Sequence, residues 1–168
     1  PGTEPGGRRM QFRNRRLMPK LPWAVLIALA VLFTRPALAV LSCSASATPV
    51  TFGLYSPASA ADLDSTGNVQ VSCDGGRGLV SIQLSAGSSG DANDRRMFSG
   101  ADSLRYNLYD KASRNQVWGD GTGGTQTVRF NVPPNRPVTV DATVYGRVFA
   151  GQSPAPGFYV DNIVVTVL

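Results

Sequence analysis

An all-β domain, built as an antiparallel sandwich of short strands, is predicted by three observations on the sequence. Seven or more segments of four to ten residues alternate apolar and polar positions, and clusters of Gly, Pro, Asp and Asn separate them. Beyond residue 39, no stretch sustains a helical period over three turns. That part, about 130 residues with no internal repeat or linker, has the length of one domain with its own core. A closed barrel is the alternative architecture for the same pattern.

The elements follow in order. CSASATPVTF (Cys43 to Phe52) carries small or apolar residues at alternate positions, with Val50 and Phe52 on one face, and runs into the polar, Pro-containing GLYSPASA. NVQVSC (Asn68 to Cys73) places Val69, Val71 and Cys73 on one inward face, so the cysteine is in step with the valines and set to bridge inside the core. DGGRG (Asp74 to Gly78) turns the chain into LVSIQLSAG, where Val80, Ile82 and Leu84 alternate with polar partners. These two segments read as a hairpin.

GDANDRR (Gly90 to Arg96) reads as loop, with Arg95 and Arg96 in solvent. LRYNLYD gives Leu104, Tyr106 and Leu108 one face, QVW ends at Trp118, and WGDGTGGT, with four glycines, is a turned connection. TVRFNV (Thr127 to Val132) and PVTVDATVYGRV (Pro137 to Val148) continue the pattern, the latter with Val138, Val140, Ala142 and Val144 inward. After AGQSPAPG (Ala150 to Gly157) comes FYVDNIVVTVL. There Ile163, Val165 and Val167 form one face, and Val164, Thr166 and Leu168 make the other only slightly more polar, as expected of a strand meant to be covered on both sides.

The start of the chain has a different character. RRMQFRNRRLMPK (Arg8 to Lys20) is basic, LPWAVLIALAVLF (Leu21 to Phe33) is continuously apolar, and PALA (Pro36 to Ala39) offers small residues to a signal peptidase. Residues 1–39 are therefore read as a leftover plus a secretory signal peptide cleaved after Ala39, with Met10 or Met18 as the natural start, and residues 40–168 as the single mature domain. The apolar run is shorter than the about 20 residues that cross a bilayer, so no stable transmembrane segment is expected after cleavage.

Seven of the 16 Lys and Arg but one of the 11 acids precede residue 40, which leaves nine bases against ten acids. The basic balance belongs to the leader, and without a positive field nucleic acid is not expected as a partner. In an oxidising compartment Cys43 and Cys73 are expected to pair, with two free buried thiols as the alternative.

The sequence contains no histidine, which removes Ser-His-Asp and Cys-His nucleophile arrangements and histidine-bearing zinc sites. Paired carboxylates, Asp62 with Asp64 or Asp91 with Asp94, sit among Gly, Ser and Asn, where short acceptors favour turns. No enzyme, catalytic residue, metal or cofactor is expected. Trp118 and Tyr145 are candidate surface aromatics, and if they shared a concavity the chain would be a self-contained secreted module binding carbohydrate or another cell surface.

Several segments taken together resemble a known family: CSASATPVTFGLYSP, LDSTGNVQVSCDGG, RRMFSG, LRYNLYDKASRNQVWGDG, VDATVYGRVFAGQ and PGFYVDNIVVTV. They are similar to the spore coat protein U domain, shared by secreted subunits of archaic, Csu-type chaperone-usher pili in Gram-negative bacteria. The resemblance covers the mature chain in order from Cys43. It implies an immunoglobulin-like sandwich that lacks its last strand, completed by a donor strand lent first by a periplasmic chaperone and then, at the outer-membrane usher, by another pilus subunit.

Under that resemblance Cys43 and Cys73 match the paired cysteines. Ile163, Val165 and Val167, with Val50 and Phe52, form the strand-acceptor edge. With cleavage after Ala39, only Val40 to Ser42 would precede Cys43, where a donor extension needs about ten residues, which suits a terminal or tip position or a role outside a long fibre, and equally a free secreted or coat domain. The implied localisation is periplasm and then cell surface.

Overall fold

The computed structural model describes residues 39–168 and, before them, Gly2 alone, so the expected signal peptide lies almost wholly outside the described residues. Eight strands follow one another: β1 (Leu41–Thr48), β2 (Leu63–Gly75), β3 (Gly78–Leu84), β4 (Arg96–Ser99), β5 (Asp102–Tyr109), β6 (Val128–Val132), β7 (Val138–Val148) and β8 (Val165–Val167), with one 3-10 turn at Gly87–Ser89. Five pair in the order β1-β2-β7-β5-β4 and three in the order β6-β3-β8, all antiparallel. Two curled antiparallel sheets around one core are consistent with an incomplete immunoglobulin-like sandwich. Among the described residues no helix is long and apolar enough to cross a membrane.

The period-2 pattern sets the core. Val69, Val71 and Cys73 of β2, and Ala142, Val144 and Val148 of β7, are buried on the inner face of the larger sheet. Val80, Ile82 and Leu84 of β3 meet them from the smaller one. The opposite face of the larger sheet is polar, with Ser72 Oγ 2.9 Å from Thr139 Oγ1 and Asp141 accepting from both Asn68 and Gln70.

The structure departs from the sequence reading in four places. β2 and β3 are not a hairpin: both edges of β2 are taken, by β1 and β7, so the chain crosses at Gly75–Arg77 to the other sheet, where β3 pairs with β6 and β8. Gly75, at φ 92° and packed against the carbonyl of Val40, gives that crossing its left-handed residue.

The disulfide lies only half inside the core, with Cys73 buried in step with the valines and Cys43 exposed. Cys43 stands directly opposite Cys73 in the β1–β2 register with Cα atoms 4.0 Å apart, so the bond fastens an exposed edge strand to its neighbour. β1 also ends at Thr48, before Pro49, a residue without the N–H a ladder needs. Val50 and Phe52 therefore lie on an unpaired segment beyond it, half-buried against the core.

Trp118 is not a surface aromatic. After β5 the chain folds back so that the Trp118 N–H bonds to Leu108 O and the ring, 0% exposed, donates its Nε1–H to Ile82 O at 3.0 Å. An aromatic with a polar handle is stable inside when that handle finds an acceptor.

Arg95 is not solvated either. It is 0% exposed, and its guanidinium donates to Ser85 O, Trp118 O, Ala92 O and Asn107 Oδ1, with a longer contact to Leu84 O. Arg96, its neighbour, is half-exposed and pairs with Asp94.

Two glycines shape the inner face. A Cβ on Gly146 of β7 would meet Phe52 and Val50 side-chain carbons at 2.7 Å each, and one on Gly67 of β2 would meet Thr48 O at 2.7 Å. The bare backbone at these positions forms a trough in which the segment after β1 lies across the larger sheet. Gly146→Val is expected to destabilise the domain by about 1–3 kcal/mol through overpacking. A urea midpoint equal to that of the parent would show that the trough has room to spare.

Candidate functional site

Between the sheets, on the side where β8 is the edge, the core opens into a groove of about 1090 Å3. Its floor is apolar, with Leu84, Met97, Leu104, Leu108, Val144 and Val148 all buried or nearly so. One wall is the segment Pro49–Tyr55, and the other is the run from Phe158 through Ile163 to Val165. Leu54 and Phe158, on opposite walls, are each 93% exposed, an unusual state for large apolar residues unless something covers them.

Val160 pairs with Phe98 and Val164 O accepts from Ser85, but backbone groups stand outside any ladder at β8 and along Pro49–Tyr55. Ser81 and Leu168 exchange both N–H···O bonds, at 2.8 and 3.0 Å, and bonded pairs alternate with non-bonded ones along an antiparallel ladder. Val165 opposite Leu84 and Val167 opposite Ile82 thus occupy non-bonded positions, and their N–H and C=O groups point away from β3. No other described strand pairs with β8 on that side. Pro49 to Tyr55 make no backbone–backbone hydrogen bond among the described residues.

One polar spot interrupts the groove. Tyr106 of β5 donates its hydroxyl to Asp161 Oδ2 at 2.7 Å, while Asp161 Oδ1 accepts the N–H groups of Ser88 and Asn162. Asp161 thereby ties the approach to β8 to the floor and to the 3-10 turn. Burial, helped by this carboxylate, pushes the Tyr106 phenol far above its ordinary range, so it stays a neutral donor.

Of the residues singled out from the sequence, Ile163, Val165, Val50 and Phe52 line this groove together, and Phe52 meets Tyr106 edge-on at 5.9 Å between ring centres. Val167 packs against the core just beyond the lining. Trp118 is buried and does not line the groove. Tyr145, on the polar outer face, stacks under the Arg114 guanidinium at 5.7 Å, so the two aromatics do not share a concavity. Tyr55, Gln152, Tyr106 and Asp161 were not singled out. The polar pattern around Tyr55 and Gln152 reads as ordinary loop, since their partners lie 97 and 47 residues away.

The candidate carboxylates have structural partners. Asp64 receives a two-pronged contact from Arg147 at 2.7 and 2.9 Å, and Asp62 accepts the Ala150 N–H. Asp94 joins Arg96 and Arg105, and Asp91 accepts the N–H of Asn93 in a turn. Hydrogen bonds from the arginines hold the Asp64 and Asp94 carboxyls below the usual carboxylate range. Among the described residues, no group of three or more His, Cys, Asp or Glu could hold a metal ion.

Comparison with known proteins adds the following. Residues 29–166 match the family model of the Spore Coat Protein U domain. Among solved structures, the chain is similar to one in the CsuC-CsuE chaperone-tip adhesion subunit pre-assembly complex from archaic chaperone-usher Csu pili of Acinetobacter baumannii. The identity is 21% and the TM-score 0.48, over 76% of this chain and 39% of that one, so this chain spans about two-fifths of that chain's length. No curated protein matches the sequence.

Proposed function

Since the chain belongs to the spore coat protein U domain family, we propose that it is an exported structural subunit of a chaperone-usher pilus or a related surface assembly, and that its groove accepts a strand from another chain. The observation that carries this reading is the pairing vacancy between the walls. An apolar groove bordered on one side by Val165 and Val167 backbone that faces away from β3, and on the other by the Pro49–Tyr55 segment outside any ladder, offers an extended peptide both hydrogen bonds and side-chain pockets. A closed sandwich would leave neither.

The rest of the reading follows from that role. Residues 1–39 act as leader and are removed after Ala39, and residues 40–168 form the exported domain. In the periplasm a chaperone covers the groove. At the usher a strand from another subunit replaces it, and the assembly reaches the cell surface. The inward side chains of the partner strand are apolar, because the floor offers no unpaired polar group to a polar one.

Co-production with a periplasmic chaperone of the same assembly system tests this. The parent chain is expected to retain the chaperone through purification. Val165→Asp, which sets a charge on the groove wall, is expected to lose it while Trp118 fluorescence still reports a folded core. Equal retention by both chains, or none by the parent, would overturn the reading.

A further inference from the structure

The wall Pro49–Tyr55 is a strap: it crosses the inner face of the larger sheet without a ladder on either side, and Gly53 within it takes a left-handed φ of 74°. Few contacts hold it. Val50 and Phe52 rest on Gly67 and Gly146, and Ser65 Oγ donates to Thr51 O at 2.7 Å. At its far end the Tyr55 hydroxyl donates to Gln152 O at 3.1 Å and accepts the Gln152 N–H at 2.9 Å, satisfying both backbone groups of one residue.

The Gln152 side chain repeats the device one layer on. Its Oε1 accepts the Arg105 N–H at 2.7 Å, and its Nε2 donates to Arg105 O at 2.9 Å and to Phe149 O at 2.8 Å. Arg105 sits on β5 between Leu104 and Tyr106, two residues of the groove floor. A relay of four hydrogen bonds therefore runs from the strap through Gln152 to the strand that builds the floor, and the bond to Phe149 O braces it from just beyond the end of β7.

From this geometry we infer that Tyr55 and Gln152 form a buckle that fixes the strap at the height and spacing from β8 that an inserted strand requires. They are positioning residues for strand acceptance, and the inference rests on the reading given above. Without the buckle the strap stays covalently in place, but its N–H and C=O groups are no longer set to pair, and an incoming strand must order them at its own cost. The occupant that fits is an extended segment of a partner chain, since the strap and β8 both offer backbone pairing.

The test uses the full chain recovered from the periplasm and a blocked peptide of eight alternating valine and threonine residues with a lysine at each end. Affinity is read by fluorescence anisotropy and core stability by urea unfolding. Tyr55→Phe, which removes two hydrogen bonds, and separately Gln152→Met, which removes three, are expected to keep cooperative unfolding and to weaken peptide binding by about tenfold. Should Tyr55→Phe fail to fold, Gln152→Met carries the same prediction.

Variants that bind as the parent does, or whose only change is a lower urea midpoint, overturn the buckle and leave the strand-acceptor reading standing. A parent chain that ignores the peptide overturns the strand-acceptor reading and the buckle with it.

Discussion

Arg95→Ala is expected to cost the domain about 3–5 kcal/mol, the largest single-residue effect among the polar groups. The guanidinium is fully buried and serves Ser85 O, Ala92 O, Trp118 O and Asn107 Oδ1 together, so it joins the end of β3, the loop before β4, β5 and the segment after it. Among the described residues no carboxylate contacts it, and burial pulls its proton affinity below the ordinary arginine range, since a charge inside loses its hydration. Removing the side chain relieves that cost.

The larger effect is what remains, since several buried oxygens lose their donor at about 1–3 kcal/mol each where water does not replace it. Arg95→Lys should recover little, because a single ammonium does not span acceptors arranged around a planar fork. Urea unfolding followed by Trp118, the one tryptophan after residue 39, gives the measurement. A loss below about 1 kcal/mol would mean that the carbonyls find other donors.

Cys73→Ser is expected to lower stability by roughly 3–4 kcal/mol under oxidising conditions, from the chain entropy released when a loop of 30 residues is no longer closed. The placement of the bond adds a local consequence. β1 is an edge strand whose residues are almost all exposed, so little side-chain burial holds it once the tether to β2 is gone. The variant should therefore lose protection in β1 first, with proteolytic cuts between Leu41 and Thr48 appearing before global unfolding. Equal urea midpoints with and without reductant in the parent would refute the stabilising role of the bond.

The core was legible in the sequence wherever burial is one-sided. Val69, Val71, Val80, Ile82, Leu84, Val144 and their neighbours alternate with polar residues because each strand shows one face to the interior, and period 2 records that directly. Connectivity was less legible: the glycine-rich DGGRG reads as a hairpin turn, and only the occupancy of both edges of β2 sends β3 to the other sheet. Local sequence does not encode that occupancy.

The same limit hid Arg95 and Trp118. Their burial depends on acceptors between 3 and 36 residues away that converge only after folding. For the groove, the apolar character of Ile163, Val165, Val50 and Phe52 was visible in the residues, but their grouping at one strand-acceptor edge came from the family resemblance and not from any local pattern. Pro49 and the irregular run after it gave the one local sign that the first strand leaves its ladder. The polar relay through Tyr55 and Gln152 has no periodic signature, since each contact joins residues far apart in the chain.

Amide hydrogen exchange at Val165 and Val167 addresses the open groove most directly, because their N–H groups sit on the edge of β8 that faces away from β3. The account predicts that both amides exchange rapidly in the folded, isolated chain while Val80 and Ile82 in the core stay protected. It also predicts that both become protected when a chaperone or a donor peptide is bound. Protection of Val165 and Val167 already present in the isolated chain, or rapid exchange that persists in the complex, would contradict it.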